Sequence, residues 1–447
     1  MGLRRAAEDH RVKHRGLTLV EMLVATAATL ILMAAIAQVF SVFGSSLNDS
    51  RAVVELDGRM RTVAARLRAD LAGATARPVP PLDAQAGEGY FEIIEGPRTD
   101  ADATANSSIL HGDTDDVLMF TTRSVNTPFL GRSGMAGGAF AESTAAEVIW
   151  FLRRTMTATT PSVQYTENPS TFTLYRKQLL VLGTPGFAPF VADNTTTRTL
   201  ADFYQEYDMS VRPPYTSGLV TVSGSVALTP NTLLDLTKRE WRFLHSATTS
   251  FPFRFVDHQS FPAPPGLIFP PGSPRVGEDV VLTNVIAFDV RVFDPAAPVG
   301  VSGGTALVPG DPGFVGGAAS GAYVDLGNGV TANSVLTTLG IAPHFAGFGT
   351  SKSQLIATGT TRRTYDTWST HYEANGIDED DGGSGLVDEG SDGLDNDGDG
   401  HVDENDEQET APPYPYPLRG IEVRIRCYEP SSRQVRQVTV RHTFVPH

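Results

Sequence analysis

Apolar residues are concentrated in one long stretch near the N terminus. Residues 17–43 contain a single charged side chain, Glu21, and five Lys or Arg residues precede them within residues 1–16. The uncharged run of residues 22–43 would form a helix about 33 Å long, which is enough to cross a bilayer. We therefore expect a transmembrane segment over residues 17–43. Its basic flank should stay in the cytoplasm, which places the rest of the chain outside the inner membrane.

The hydrophobic pattern changes to a helical stripe after residue 50. Apolar residues recur at intervals of three and four, and charged residues, including Asp70, occupy the other faces of the helix. Gly73 and three prolines between residues 78 and 81 end the pattern. A continuous helix over residues 18–72 is predicted, with an apolar first half and a second half that packs on a globular head. The stripe consists of Val53, Leu56, Met60, Val63, Leu67 and Leu71.

Residues 73–447 have the alternation that is typical of half-buried strands. Between residues 285 and 294, four apolar side chains alternate with Asp289 and Arg291, which predicts one core face and one solvent-exposed face. Together with the helix, this pattern predicts an α+β fold in which the helix packs on an antiparallel β-sheet head. The predicted strands cover residues 91–95, 116–121, 147–153, 172–182, 281–293, 418–428 and 434–445.

Two stretches of the head, residues 183–280 and 295–370, are rich in proline and glycine and are predicted to be surface insertions. Whether they form a partner-binding face or plain loops stays open. The only cysteine, Cys427, excludes an intramolecular disulfide, and its place on the apolar face of a predicted strand indicates a small core residue.

The formal net charge of −16 argues against a nucleic-acid partner, because such proteins carry a basic face. Nearly all of this charge comes from residues 376–409, which hold fifteen Asp or Glu residues and no Lys or Arg. A block of this composition is usually solvated and flexible. A solvated loop is therefore the first interpretation of this acidic segment, and it remains open.

The spacing of the carboxylates supports a second interpretation, a calcium loop. Counted from Asp395, carboxylates stand at positions 1, 3, 5, 9 and 12, with glycine at position 6. Alternate residues of a tight loop direct their oxygens to one centre, and Ca²⁺ binds six to eight oxygens. We expect a structural Ca²⁺ ion whose ligands are Asp395, Asp397, Asp399, the backbone carbonyl of His401, Asp403 and Asp406.

An imperfect copy of this loop precedes it, and the copy offers a less complete set of ligands: Asp378, Asp380 and Asp388. The repeat resembles the calcium loops of thrombospondin type 3 and dockerin-like repeats. The sequence argues against a paired EF-hand because no amphipathic helices flank the loops and Pro412 and Pro413 follow at once.

The junction between the basic leader and the apolar stretch resembles the prepilin processing motif. In Arg15-Gly16-Leu17-Thr18-Leu19-Val20-Glu21, glycine ends a basic leader and glutamate is the fifth residue after it. The resemblance implies that prepilin peptidase removes residues 1–16, cleaves between Gly16 and Leu17, and methylates the new amino group of Leu17. It also implies that Glu21 pairs with the terminal amine of a neighbouring subunit. Leucine replaces the more usual phenylalanine at the first mature position.

Further stretches resemble J-type minor pseudopilins of type II secretion and the related minor pilins of type IV pili. They are residues 66–71, residues 285–294 and the closing hairpin. The resemblance implies assembly with other pilins into a filament, with a periplasmic head at or near the tip. The alternative is an uncleaved, membrane-anchored extracytoplasmic binding protein or adhesin. No catalytic residue and no enzymatic activity are predicted, because the nucleophile-elbow, zinc-protease and phosphate-loop motifs are absent from the sequence.

Overall fold

The structure is a computed structural model, and two compact units can be distinguished in it. One comprises residues 1–56 with 430–432, and the other comprises residues 57–429 with 433–447. The leader and the cleavage position, Gly16 and Leu17, lie outside the described residues. The structure describes residues 18–80, 82–83, 85–96, 111–133, 140–154, 156–157, 164–165, 171–182, 190–191, 198–212, 221–222, 227–243, 245, 268–269, 272–317, 319–328, 343–346, 363–367, 387–396, 398–403, 407 and 414–444.

The long N-terminal helix is present. Helix α1 (Leu19–Ala72) has 54 residues, and the described side chains of residues 19–43 are exposed along its first half. The helix ends at Gly73, whose close approach to β-sheet backbone excludes a side chain, because a Cβ there would lie 2.2 Å from the carbonyl oxygen of Arg123. Among the described residues, three shorter helices follow: α2 (Leu200–Glu206) and two 3₁₀ turns, Asp235–Thr237 and Arg239–Trp241.

Nineteen strands lie within the described residues. The first ten are β1 (Phe91–Glu95), β2 (Val117–Arg123), β3 (Phe129–Arg132), β4 (Phe140–Ser143), β5 (Ala145–Arg154), β6 (Met156–Thr157), β7 (Gln164–Tyr165), β8 (Phe172–Val181), β9 (Phe190–Val191) and β10 (Arg198–Thr199). The other nine are β11 (Val211–Arg212), β12 (Thr221–Val222), β13 (Ala227–Pro230), β14 (Val280–Ser302), β15 (Thr305–Leu307), β16 (Ala319–Val324), β17 (Arg363–Asp366), β18 (Gly420–Glu429) and β19 (Gln434–Thr443).

Ten of these strands form one antiparallel sheet with the order β17-β1-β2-β5-β8-β14-β18-β19, and β15 and β16 also pair with β14. All seven predicted strands belong to this sheet, and β18 and β19 form the closing hairpin. The predicted α+β fold, a long helix followed by an antiparallel β-sheet head, is therefore confirmed.

The second half of α1 contributes an apolar stripe to the core of the head. Met60, Val63, Leu67 and Leu71 are all buried, in agreement with the predicted three- and four-residue spacing. Asp70, which the sequence analysis placed on another face, is buried as well. Its carboxylate accepts hydrogen bonds from Arg176 on β8 and Trp150 on β5, so a polar anchor supplements the apolar stripe.

The prediction that residues 183–280 are a surface insertion is wrong for the described part of this stretch. Helix α2 and the turns after it bury large side chains, and these belong to a core cluster that also contains Ile149 and Phe151 of β5. The contributed side chains include Phe203, Tyr204, Met209, Leu228, Leu236 and Phe243. The physical reason is that these apolar residues cover one face of the sheet, which would otherwise be exposed to water.

The second stretch, residues 295–370, starts and ends as part of the sheet. β14 continues through Pro295 and Pro298 to Ser302 and pairs there with β15 and β16, and β17 pairs with β1. The sheet is therefore larger at both of these points than the predicted strands imply.

The prediction of a solvent-exposed face on β14 is also wrong. Asp289 is 1 % exposed and Arg291 is fully buried. Arg291 lies 3.0 Å from a carboxylate oxygen of Asp325 and 2.9 Å from one of Asp311, both of which belong to the segment that follows β15. This segment covers the polar face of the strand, so ion pairs replace water there.

Candidate functional site

The apolar half of α1 is the first candidate site. Its most apolar stretch buries none of its residues within the chain. By length and composition this helix can cross a membrane. A fully exposed apolar surface of this size in one chain requires lipid or other protein surfaces to cover it.

Glu21 lies in the first turn of this helix and caps its N terminus. Its carboxylate accepts hydrogen bonds from the backbone N–H and the hydroxyl of Thr18, at 2.8 and 3.0 Å, and the Glu21 N–H donates to Thr18 Oγ1 at 3.2 Å. This reciprocal arrangement is a capping box. This role was not predicted from the sequence, although the spacing Thr-x-x-Glu ahead of an apolar run is its signature.

The acidic loop is the second candidate site, and the structure describes part of its expected ligand set. Asp388, Asp395, Asp399, His401 and Asp403 lie within the described residues. Four expected ligands lie outside them: Asp378, Asp380, Asp397 and Asp406.

The described carboxylates of the loop bind backbone N–H groups. Asp395 Oδ1 accepts from Gly398 at 2.7 Å, and its Oδ2 accepts from Gly400 at 3.0 Å. Asp403 Oδ1 accepts from the Gly393 N–H at 2.9 Å, which ties the two ends of the loop together. Gly400 has a φ of 99°, a conformation that favours glycine, as expected for the sharp turn. The loop is thus wound tightly around Asp395.

A third candidate site, which the sequence analysis missed, is a buried acidic triad formed by Glu95, Asp113 and Asp116. One carboxylate oxygen from each residue lies within 4.8 Å of the other two, and the three side chains are buried, so the triad could bind a metal ion. Glu95 ends β1, and the two aspartates precede β2. The available signal was the acidic sequence Gly112-Asp113-Thr114-Asp115-Asp116 directly ahead of a strand.

Burial raises the pKa of all three triad carboxyls well above the ordinary range. Neighbouring carboxylates raise the pKa values further, among them Asp115 and Asp289. One opposing contribution is the N–H of Val290, which donates to Asp116 Oδ2 at 2.6 Å and favours its charged form.

Two other groups that could carry chemistry have packing roles. Burial raises the pKa of the Cys427 thiol to about 12, so it is uncharged at neutral pH, in agreement with its predicted place in the core. The buried Glu147 carboxylate accepts hydrogen bonds from the Tyr90 hydroxyl at 2.6 Å and from Ser210 Oγ at 2.7 Å. Glu147, on β5, thus joins the residue just before β1 to the segment after α2.

Comparison with known protein families gives a match over a short N-terminal part of the chain. The family described as the prokaryotic N-terminal methylation motif matches residues 11–37. No curated protein and no solved structure matches the chain. The motif implies processing by prepilin peptidase and assembly with other pilins, and it indicates a structural subunit rather than an enzyme. With the apolar N-terminal helix, it fits a protein anchored in the inner membrane. These findings together support a type IV pilin-like protein.

Proposed function

We propose that the protein is a minor pseudopilin or minor pilin, the subunit of a type II secretion pseudopilus or of a type IV pilus-like filament. Prepilin peptidase would cleave between Gly16 and Leu17 and methylate Leu17. The head would lie in the periplasm, and Glu21 would pair with the terminal amine of a neighbouring subunit. The observation that carries the proposal is the methylation motif, which is followed directly by an exposed apolar helix.

The size of the head supports a place at or near the tip of the filament. The sheet has ten strands, and further described elements pack on it. A head of this size would be hard to repeat along a tightly packed helical array of subunits. At the tip, only one copy has to be accommodated.

Processing is tested by the intact mass and N-terminal sequence of the protein recovered from membranes of cells that contain prepilin peptidase. The expected chain begins at methylated Leu17. Gly16→Val should leave the leader attached, because the peptidase recognises the residue that precedes the cleaved bond. Gly2→Val, in the same leader, is the matched control and should be processed normally. A wild-type chain that begins at Met1 would overturn the proposal and favour the uncleaved, membrane-anchored binding protein.

The same cells test the role of Glu21. Glu21→Gln keeps the size of the side chain and removes its charge. The variant should be cleaved normally but should be depleted from the sheared filament fraction. Normal incorporation of this variant would contradict the proposed pairing with a neighbouring amine.

We also propose that residues 395–406 bind a structural Ca²⁺ ion, with Asp395, Asp397, Asp399, His401, Asp403 and Asp406 as ligands. Asp378, Asp380 and Asp388 of the preceding copy would form a second, weaker site. The support is the carboxylate spacing together with the tight winding of the loop around Asp395. The many carboxylates repel one another without an ion, so binding and ordering of the loop should be coupled.

Calcium binding by the loop is tested by proteolysis with a glutamate-specific protease. In detergent, Ca²⁺ should slow cleavage of the full-length protein after glutamates of residues 376–409 at least about tenfold relative to chelator, because cleavage needs local opening. The double variant Asp395→Asn with Asp399→Asn should lose this protection. Asp83→Asn, an exposed site outside the loop, should retain it. Equal cleavage of the wild type with and without Ca²⁺ would contradict the proposal.

A further inference from the structure

The acidic triad lies where three parts of the chain meet. Asp116 Oδ2 accepts the Val290 N–H of β14 at 2.6 Å, and the Asp113 carbonyl accepts the Phe288 N–H at 2.8 Å. Glu95 Oε2 accepts the N–H of Leu326, just after β16, at 3.2 Å. The triad thus joins the end of β1 and the start of β2 to β14 and to the segment that follows β16.

Glu95 carries the observation that points to a ligand. Its side chain is fully buried, and its second carboxylate oxygen, Oε1, has no hydrogen-bond partner among the described residues. Buried polar atoms are almost always hydrogen-bonded, since leaving one unsatisfied destabilises the folded state. One Glu95 carboxylate oxygen lies within 4.8 Å of a carboxylate oxygen of Asp113 and of Asp116, so this incompletely satisfied carboxylate is suited to bind a cation.

The charge balance around the triad supports the same conclusion. Three further buried carboxylates lie close enough to raise the pKa of Glu95: Asp115, Asp289 and Asp325. The buried arginine of β14, Arg291, pairs with Asp289, Asp325 and Asp311. Within the described part of the chain, no Lys or Arg forms an ion pair with Glu95 or Asp116. Buried carboxylates in such surroundings must either hold protons or bind a cation.

We propose that Glu95, Asp113 and Asp116 bind a Ca²⁺ ion that fastens the connection between β1 and β2 to β14. Carboxylate oxygens select hard cations such as Ca²⁺ and Mg²⁺. Two oxygens that bind one Ca²⁺ ion at about 2.4 Å each can be at most about 4.8 Å apart, and the three triad oxygens lie within this limit. Ca²⁺ also tolerates irregular geometry, whereas Mg²⁺ keeps several waters, which a buried site accommodates poorly. This site is separate from the acidic loop and does not depend on the pilin role.

The test counts ions in the full-length protein in detergent. The parent protein carries Asp395→Asn and Asp399→Asn, which remove the principal loop site. Bound Ca²⁺ per chain is measured by equilibrium dialysis and elemental analysis, for this parent and for the same protein with Glu95→Gln. The matched control is Glu147→Gln, which makes the same change at a fully buried carboxylate outside the triad.

The Glu95→Gln protein should bind one Ca²⁺ ion fewer per chain than the parent, and the Glu147→Gln protein should bind as many as the parent. Loss of a direct ligand should weaken the site at least about 100-fold. Equal binding by the parent and by Glu95→Gln would overturn the proposal, as would preference of the site for Mg²⁺ in a competition experiment. If Glu95→Gln does not fold, Asp113→Asn replaces it, since an amide retains the oxygen that accepts the Asp115 N–H.

Discussion

Replacing Asp70 by alanine should lower the free energy of unfolding of the head by about 3–5 kcal/mol, the usual effect of removing one partner of a buried ion pair. The Asp70 carboxylate accepts two hydrogen bonds from Arg176, at 2.6 and 2.8 Å, and one from Trp150 Nε1 at 3.1 Å. The two charged side chains are 3 % and 9 % exposed. Alanine would leave the guanidinium buried without this carboxylate, next to an unpaired indole N–H.

The measurement is urea unfolding of the full-length protein in detergent, followed by tryptophan fluorescence, to which Trp150 contributes as one of three tryptophans. Arg132→Ala is the control. It removes an ion pair with Glu278 whose side chains are 39 % and 38 % exposed, so the expected loss is below about 1 kcal/mol. Asp70→Asn keeps the acceptor oxygen and loses the charge. Its loss of unfolding free energy should lie between those of Asp70→Ala and Arg132→Ala. A loss as small for Asp70→Ala as for Arg132→Ala would mean that the apolar stripe alone holds the helix in the head.

Asp70 also illustrates where reasoning from the sequence succeeds and where it fails. The helix was predictable because its signal is local: an uninterrupted apolar run, then apolar residues at helical spacing, then Gly73. The strands were predictable for the same reason, from alternation over a few residues. Neither signal tells which polar side chains become buried. Asp70 is buried because Arg176, more than a hundred residues away, lies beside it.

The polar face of β14 is a second case in which a local sequence pattern does not predict which polar side chains are buried. Alternation separates Asp289 and Arg291 from their apolar neighbours, but it cannot tell whether water or another segment covers them. Here a distant segment that carries Asp311 and Asp325 covers them, and Arg291 pairs with both. The acidic triad depends on a similar long-range contact, since Glu95 meets the backbone of Leu326. Such contacts are properties of the topology, which one sequence does not reveal.

The prepilin motif behaves differently, because it is a short signal that an enzyme reads in sequence. It was predictable from residues 15–21 alone, although the structure describes only part of it. The capping box of Thr18 and Glu21 adds a structural role to the same residues. The glutamate that the resemblance assigns to assembly therefore also fixes the first turn of the helix within the chain.

The buried acidic triad predicts an unusual dependence of stability on pH in the presence of chelator. The pKa values of Glu95, Asp113 and Asp116 are raised above their unfolded values, mainly by burial. Between the unfolded and the folded pKa, the folded chain therefore binds more protons than the unfolded chain. Stability must then fall as the pH rises from about 4 towards neutrality, with a slope of up to about 1.4 kcal/mol per pH unit for each carboxyl that stays protonated.

Other charged groups around the triad shape this slope. Asp115, Asp289 and Asp325 add negative potential that strengthens the slope, and two of them, Asp289 and Asp325, pair with Arg291. A contribution of opposite sign comes from Asp366. Burial alone would raise its pKa, but Arg242 and Arg239 hold the pKa below the ordinary value, so its share of stability is lost as the pH falls. The contribution of the triad to this slope is therefore obtained by comparing the wild type with Glu95→Gln at every pH, since both proteins retain Asp366.

In chelator, the wild type should lose stability from pH 5 to pH 8 more steeply than Glu95→Gln, which has one carboxyl fewer to ionise. In saturating Ca²⁺ the wild type should instead lose stability less steeply than Glu95→Gln. The ion compensates the three carboxylates of the wild type and stabilises the folded state by mass action. The measurement is thermal unfolding of the full-length protein in detergent across this pH range, with and without Ca²⁺. Parallel pH profiles of the two proteins in chelator would show that Glu95 ionises normally, and the prediction that the triad raises its pKa would then be wrong.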